Sequence, residues 1–392
     1  MMAIRDLFLL DSEVIFLNHG SFGACPRPVF EKYQHWQVEL ERQPVAFLDR
    51  QYSQLLQQAR HDLGRFIGAE PDNLVYIPNA TIGLNIVAHS LNLAPGDEIL
   101  TTDQEYGALD RMWLFLCAKW GAHYNRQPLN LPLFSTDTVI DTIWSGVTDR
   151  TRILFLSHIT SSTALILPLK ELIQRARNRG IITIIDGAHA PGHIPLNLAD
   201  LGADFYVGNC HKWLMAPKGA AFLYTRKSKQ PLLRPLIISW GGTNRKKGIS
   251  PYLDEFEFQG TRDIAAYLSV PAAIAFMRDY NWDQIRNKCH GLVRYARQEI
   301  SALTGLRPLT PDSPSWFGQM AAFPLPPGDG DTLQKRLYQN FAIEIPATTI
   351  GDQQFLRLSV QGYNSQADIE ALLGALKQVL PEMGASGPPN SL

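Results

Sequence analysis

Short, almost wholly apolar runs recur along the first two thirds of the chain and alternate with longer amphipathic stretches. The clearest runs are 152–157 and 181–185, and the stretch between them opens near Pro168 and closes at Gly180. Runs that are apolar on both faces are typical of strands buried inside a parallel sheet. A proline in the first turn and a glycine just past the last turn are typical of a helix. This alternation predicts an α/β fold in which crossover helices join parallel strands.

The pattern changes near residue 257. Beyond it, helical and strand-like segments follow one another without regular alternation, and the chain of 392 residues is long for one hydrophobic core. We therefore predict a large domain over 14–256 and a smaller α+β C-terminal domain over 257–383, with residues 1–13 packing on the smaller domain. The Gly- and Pro-rich tail over 384–392 is predicted to be disordered.

Composition excludes several classes of partner. A net charge of −1 gives no basic surface for nucleic acid, and no uncharged apolar run is long enough to span a membrane. The four cysteines have neither metal-ligand spacing nor the density of a disulfide framework. We therefore expect no metal, no nucleic acid and no membrane partner, and a reducing, cytoplasmic location.

Asp186 and Lys212 are the candidate chemical groups, because each follows a short apolar run. Side chains at the carboxyl ends of parallel strands gather at one edge of the sheet, so the two should lie close together. A lone lysine after a strand is usually structural, whereas this pair suits pyridoxal 5'-phosphate. The amine forms a Schiff base with the aldehyde of the cofactor, and the acid keeps the pyridine nitrogen protonated.

Two motifs carry a family resemblance: Asp186-Gly187-Ala188-His189, and Asn209-Cys210-His211-Lys212 with Gly219. Together they resemble the class V aminotransferases of the fold-type-I pyridoxal phosphate enzymes, which include cysteine desulfurases and isopenicillin N epimerase. The resemblance covers roughly residues 14 to 380. It implies a large domain built on a mostly parallel seven-stranded sheet, pyridoxal 5'-phosphate as the cofactor, and a homodimer.

The resemblance also implies residues for each part of the cofactor. Around the phosphate these are Ala80 (through its backbone), Thr81, Asn209, His211 and, reaching in from the neighbouring subunit, Thr261; His211 could instead stabilise the free amine of Lys212. Around the ring they are Tyr106 on its face, Ser161 and His189 beside its hydroxyl, Asp186 at its nitrogen, and Lys212. Asp186, His189 and Lys212 are also the expected catalytic residues.

Structural alternatives stand beside several of these assignments. Asn79 suits a helix N-cap, in which case Thr81 is an ordinary first-turn residue. Tyr106 could be a core tyrosine rather than the aromatic group that stacks on the ring. His189 could simply satisfy backbone groups near a strand end.

Arg357 is the candidate for binding a substrate carboxylate. It interrupts the apolar run 355–359, and a buried guanidinium is costly unless an anion accompanies it. Its planar fork matches a carboxylate, although a structural ion pair is the alternative. The resemblance adds Asn18, in the loop after the first strand. Arg50 is either an exposed ion-pair residue or an anion clamp for this site or for that of a partner subunit.

The choice among possible reactions depends on a missing cysteine and on the family resemblance. Desulfurases carry a thiol on a loop near the position of 345–349 here, and no cysteine follows Cys289, which argues against sulfur transfer through a persulfide. The leading hypothesis is an isopenicillin N epimerase-like enzyme acting at the α-carbon of a small amino acid or peptide-like amine, with Lys212 as the base on one face. A C–S lyase or aminotransferase is the alternative on the same fold. A non-catalytic binding or regulatory protein is the alternative from another class.

Overall fold

The computed structural model describes residues 4–242 and 250–385. Its strands are β1 (Ile15–Phe16), β2 (Leu74–Ile77), β3 (Glu98–Thr102), β4 (His123–Gln127), β5 (Thr151–Ser157), β6 (Ile182–Asp186), β7 (Phe205–Asn209), β8 (Ala221–Thr225), β9 (Met320–Pro324), β10 (Ile343–Glu344), β11 (Ala347–Ile350) and β12 (Gln353–Ser359). Its α-helices are α1 (His19–Phe22), α2 (Arg27–Arg42), α3 (Tyr52–Ile67), α4 (Ala80–Ser90), α5 (Gly107–Trp120), α6 (Thr136–Ser145), α7 (Leu169–Asn178), α8 (Leu198–Leu201), α9 (Pro251–Glu257), α10 (Ala265–Leu268), α11 (Val270–Asp279), α12 (Trp282–Thr304), α13 (Gly330–Phe341) and α14 (Gln366–Ala385).

The main sheet has seven strands in the order β2-β8-β7-β6-β5-β3-β4. Strand β8 runs antiparallel to both of its neighbours, and the other pairings are parallel. Strands β6 and β7 are buried almost throughout, as expected for central strands covered by helices on both faces. The predicted α/β class and the mostly parallel seven-stranded sheet are confirmed.

Register brings the polar strand ends to one edge of this sheet. Ser157 at the end of β5 pairs with Asp186 at the end of β6, and Asp186 pairs with Val207 of β7. Asn209 closes β7 on the same side. Because parallel strands end together, the groups that the sequence placed at strand ends lie next to one another.

A second, three-stranded sheet has the order β11-β12-β9 and is antiparallel. Helices α12, α13 and α14 accompany it and pack on one another. Arg357 lies within β12, opposite Ala322 of β9. This is the smaller sheet unit predicted for the C-terminal part of the chain.

The N-terminal segment contacts the C-terminal part of the chain. Strand β1, which we had placed at the start of the large domain, pairs in parallel with β10 of the C-terminal part. Phe8 packs edge-on against Phe276 and Tyr363, also from the C-terminal part. The domain limits at 14 and 257 stay predictions.

Three further expectations concern the tail, membranes and metals. Residues 384 and 385 belong to α14, and the rest of the tail predicted to be disordered lies outside the described residues. None of the helices in 4–242 or 250–385 is long and apolar enough to cross a membrane. Within the same ranges, no group of His, Cys, Asp and Glu side chains is arranged to hold a metal ion.

Candidate active site

Lys212, His189 and Asp186 form the centre of the candidate site. Lys212 lies in the loop after β7, and its Nζ is 3.1 Å from Nε2 of His189, which follows β6 by three residues. Asp186 and His189 are buried, whereas Lys212 is only partly so. The structure therefore brings the amine and the acid to the same edge of the sheet.

The amine of Lys212 is easier to deprotonate than an ordinary lysine. Burial lowers its pKa to about 8, and the positive charge of Arg357 acts in the same direction, while Asp186 opposes both. A lysine that loses its proton near neutral pH can act as a nucleophile or as a base. This is the property that a Schiff-base lysine requires.

Asp186 is 6% exposed, and its Oδ1 accepts the backbone N–H of Ala188 at 2.9 Å. Burial raises the pKa of this carboxyl, while the Ala188 N–H and the charge of Lys212 lower it. A buried acid with one oxygen occupied by an N–H can accept a further charged N–H group through its other oxygen.

The start of helix α4 lies beside the end of β7. Asn79 caps the helix by accepting the N–H of Ile82 at 2.9 Å, which does not decide the role of Thr81. The N–H of Ala80 donates to Oδ1 of Asn209, also at 2.9 Å. Thr81 is exposed. The Ala80 N–H that we had assigned to the phosphate is thus bonded to Asn209, and the side-chain NH₂ of Asn209 is the end left to donate.

His211 is tied to the main chain rather than to Lys212. Its Nδ1 lies 3.0 Å from the carbonyl oxygen of Ala220 and must donate to it, since a carbonyl only accepts. Burial lowers the pKa of His211 to about 4, so the ring is neutral in the protein alone. Its Nε2 becomes a donor only when the ring is protonated, which a neighbouring phosphate dianion would favour.

Arg357 is buried without a carboxylate. Its Nη1 donates to the backbone oxygen of Ser161 and its Nη2 to Oγ of Ser21, each at 2.7 Å. Its Nε is buried and has no hydrogen-bond partner within the described part of the chain. Burial lowers the pKa of Arg357 to about 10. No ion pair with a carboxylate is formed among residues 4–242 and 250–385, which leaves this guanidinium available for an anion from outside the chain.

Asn18 and Ser161 both lie at this guanidinium. Oδ1 of Asn18 is 3.5 Å from Nη2 of Arg357, and its Nδ2 donates to Glu344 at 3.2 Å. Ser161, expected beside the ring hydroxyl, holds Arg357 through its backbone oxygen and, at 3.4 Å, through Oγ. Its contact with the ring stays a prediction.

Tyr106, Arg50 and Thr261 stand apart from this cluster. Tyr106 precedes α5 and is 46% exposed, so it is not a core tyrosine. The side chains of Arg50 and Thr261 are exposed and make no hydrogen bond to the cluster within the described chain. Their segments are neighbours, because the Tyr52 hydroxyl donates to the backbone oxygen of Glu257 at 2.7 Å.

Three features of the site were not predicted from the sequence. The indole N–H of Trp213 donates to Nδ1 of His189 at 3.3 Å. Ser21 holds Arg357, and Glu105 is a second buried acid whose pKa is raised by burial and by the charge of Asp186. Trp213 directly follows the motif that ends at Lys212, and Ser21 lies three residues after Asn18, but neither residue type indicates such a contact.

The residues present fit pyridoxal phosphate. Within the described chain, the site offers a partly buried amine, a buried acid with one oxygen that makes no hydrogen bond, and Thr81 and the side-chain NH₂ of Asn209 at the start of α4. It also has a buried guanidinium that forms no ion pair with a described carboxylate and whose Nε has no hydrogen-bond partner there. These are the groups needed to hold an aldehyde, a ring nitrogen, a phosphate and an amino acid.

Comparisons with known proteins give the family. The model of the family described as Aminotransferase class-V matches residues 25–372. An isopenicillin N epimerase of Amycolatopsis lactamdurans is 39% identical over 389 residues, covering 96% of this chain and 97% of that protein. A probable chloroplastic L-cysteine desulfhydrase of Arabidopsis thaliana is 29% identical, covering 93% of this chain and 83% of that protein.

A solved structure gives the same fold. It is a C-DES mutant with glycine covalently linked to its PLP cofactor. It superposes with a TM-score of 0.82 at 22% identity, covering 96% of this chain and all of that one. With the family model and the epimerase relative, this confirms the resemblance, the fold and the predicted cofactor: the chain belongs to the class V aminotransferase family of pyridoxal phosphate enzymes.

Proposed function

We propose that the protein is an amino-acid epimerase that removes and returns the α-proton of a small amino acid or peptide-like amine. The observation that carries this proposal is the buried, carboxylate-free guanidinium of Arg357 in the same cluster as Lys212. It provides a place for the carboxylate of the substrate close to the group that would handle the α-proton. The identity to an isopenicillin N epimerase over nearly the whole chain supports the same reaction.

The proposed roles follow from the charge state of each group. When bound, pyridoxal phosphate supplies an electron-accepting ring. Asp186 keeps the proton on the ring nitrogen, because a buried carboxylate stabilises an adjacent N–H⁺. Lys212, whose pKa of about 8 leaves part of the amine unprotonated near neutral pH, takes the α-proton on its own face of the substrate, and inversion then requires a proton returned on the opposite face. Arg357 binds the substrate carboxylate, with Asn18 beside it.

We further propose that the phosphate is held by Thr81, the NH₂ group of Asn209 and protonated His211. Oδ1 of Asn209 is occupied by the Ala80 N–H, so only a donor remains on that side chain. Ala80 then contributes indirectly, by fixing the orientation of Asn209. Donors at the start of a helix are well suited to an anion.

A homodimer is the arrangement that best accounts for Arg50, Thr261 and a nearby apolar surface. Ile237, Ile238 and Trp240 are 54%, 86% and 59% exposed, respectively. They precede α9, which ends at the segment leading to Thr261. Exposed apolar clusters of this kind mark interfaces. We propose that this surface meets a second copy and that Thr261 and Arg50 serve the neighbouring site. The cytoplasmic location stays a prediction.

The reaction is tested by proton NMR in deuterium oxide. We expect the holoenzyme to exchange the α-proton of at least one amino acid and to interconvert its two enantiomers, without loss of the amino group. Chiral chromatography of the same samples measures the second outcome. Absence of α-proton exchange with every member of an amino-acid panel, by a protein that carries the cofactor, contradicts the proposal.

A C–S lyase is the second candidate, favoured by the similarity to a probable L-cysteine desulfhydrase. Cysteine would then give pyruvate, ammonia and sulfide, and no D-enantiomer would accumulate. The same panel, assayed for pyruvate and sulfide, separates the two reactions. Turnover that depends on an added keto acid would instead indicate an aminotransferase.

Replacing Arg357 by methionine tests the proposed carboxylate site. Loss of a charge-assisted pair costs about 1.5–3 kcal/mol, so kcat/KM should fall about 10- to 100-fold, mainly through KM. Arg297→Met is the matched control, because Arg297 is also buried but bonds the main chain at Thr310 and Pro311. The control should lose stability but keep kcat/KM. If Arg357→Met slows exchange equally for an amine without a carboxylate, Arg357 does not bind that group.

A further inference from the structure

The hydrogen bonds around His189 define its tautomer. Trp213 is fully buried, and its Nε1–H donates to Nδ1 of His189. An indole nitrogen has a proton and no lone pair to offer, so Nδ1 of His189 must be the acceptor. Burial and four nearby basic residues lower the pKa of His189 well below its usual value, so the ring is neutral. Its single proton therefore lies on Nε2.

This tautomer determines how His189 meets Lys212. Nε2 lies 3.1 Å from Nζ of Lys212. An Nε2–H can donate to the lone pair of a neutral amine, whereas an ammonium would place two N–H groups against each other. With the opposite tautomer, Nε2 would accept from the ammonium and stabilise it.

We propose that Trp213 is a positioning residue that keeps His189 in the Nε2–H tautomer, so that His189 presents a donor to Lys212 and favours the free amine. The inference rests on the proposed function only in taking Lys212 as the functional amine. An Nε2–H also suits the contact with the ring hydroxyl that the family resemblance implies, since a deprotonated hydroxyl needs a donor.

His193 holds the indole and the backbone of His189 together. Its ring stacks on Trp213 with centroids 4.0 Å apart and an interplanar angle of 25°. The backbone N–H of Gln319 donates to its Nε2 at 2.8 Å, so the proton of His193 is on Nδ1. That Nδ1–H donates to the backbone oxygen of His189 at 3.1 Å. The backbone of Gln319, just before β9, thereby fixes the ring of His193, which in turn holds the Trp213 indole and the His189 backbone.

The charged and titratable groups facing His189 all lower its pKa. They come from four parts of the chain: Lys212 after β7, Arg357 in β12, His193 after β6 and His19 in α1, and each lowers the pKa of His189. Asp186 acts on Lys212, where it favours the ammonium. The Nε2–H of His189 favours the neutral amine of Lys212, whereas Asp186 favours the ammonium. The two groups therefore have opposite effects on the pKa of Lys212.

The tautomer of His189 can be measured directly in the unaltered protein by NMR. In the full chain with isotope-labelled histidine, nitrogen NMR should show a pyrrole-like shift for Nε2 of His189 and a pyridine-like shift for Nδ1. His189→Gln assigns the signals by removing them. The opposite pattern, or equal averaged shifts, would overturn the proposal. Because this measurement needs neither turnover nor bound cofactor, its failure is distinct from a failure of the epimerase proposal.

Trp213→Phe removes the donor while keeping an aromatic ring against His193. We expect the pKa of Lys212, measured by competitive acylation and mass spectrometry on the cofactor-free full chain, to rise by about one unit, which is about tenfold less free amine. In a His189→Leu background the same change should have no effect, because leucine has no polar atom for the indole N–H to orient. Trp282→Phe is the matched control: Trp282 is buried and its Nε1 has no partner within the described chain.

Two outcomes would overturn the inference: an unchanged Lys212 pKa in Trp213→Phe, or an equal rise in the His189→Leu background. The second would mean that the indole acts through packing alone. If Trp213→Phe does not fold, the NMR pattern of the unaltered protein decides the question.

Discussion

Lys212→Ala should abolish α-proton exchange and the visible absorption of the covalently bound cofactor. The variant loses both the amine that would join the cofactor and the group that would take the α-proton. Loss of a general base alone costs about 10²- to 10⁴-fold in rate, and loss of the covalent link adds to it. Absorption spectroscopy after dialysis and NMR in deuterium oxide measure the two effects.

Lys218→Met is the matched control for this substitution. Lys218 belongs to the same loop, and although its side chain is exposed, its amine donates to the backbone oxygen of Gly23 at 2.8 Å. Burial lowers its pKa as well. We expect this variant to be less stable but coloured and active. If instead Lys212→Ala kept the visible absorption and Lys218→Met lost it, the functional amine would have been assigned to the wrong lysine.

The central pair was predictable because it depends on local patterns. Apolar runs identify buried strands, and the residue that ends such a run must lie at the edge of the sheet. Asp186 and Lys212 both satisfy this rule, and the structure places them together. Arg357 was found in a similar way, since a charge inside an apolar strand needs an explanation.

Elements and strand pairings without such patterns were not predicted. Strand β4 has the sequence HYNRQ and is bonded only to β3, so it carries no apolar alternation that would reveal it. Strand β1 is two residues long and pairs with β10, more than three hundred residues away, which no local signal records. The sequence alone indicates one helix over 265–279, but α10 and α11 are separated at Ser269, whose hydroxyl bonds the Ala265 carbonyl just before Pro271.

The same distinction between local sequence patterns and long-range packing explains which features of the site were predictable. Asn209 bonds the Ala80 N–H across 129 positions, and the indole of Trp213 reaches His189 across 24. These contacts depend on how loops pack at the sheet edge, and sequence spacing does not determine that packing. Residue types at strand ends can therefore be read from the sequence, whereas the hydrogen bonds that set their charge states require the structure.

Asp186→Asn is expected to have the second large effect. An amide at this position cannot carry the negative charge that keeps a ring nitrogen protonated, so the bound cofactor would accept electrons poorly. Removing one such electrostatic contact from a buried site typically costs about 10²- to 10³-fold in kcat. The variant should still take up pyridoxal phosphate and show its visible absorption, because Lys212 is intact, while α-proton exchange falls.

Glu105→Gln provides the control, since Glu105 is a second buried carboxyl close enough to influence Asp186. Burial raises its pKa to about 8, so it is mainly uncharged at neutral pH, and an amide is a close replacement. Its oxygens accept the hydroxyls of Thr102 and Ser157 at 2.8 and 2.6 Å. Exchange should remain near the wild-type rate. Equal losses in the two variants would indicate a general effect of acids in this pocket, and would remove the specific role of Asp186 at the ring nitrogen.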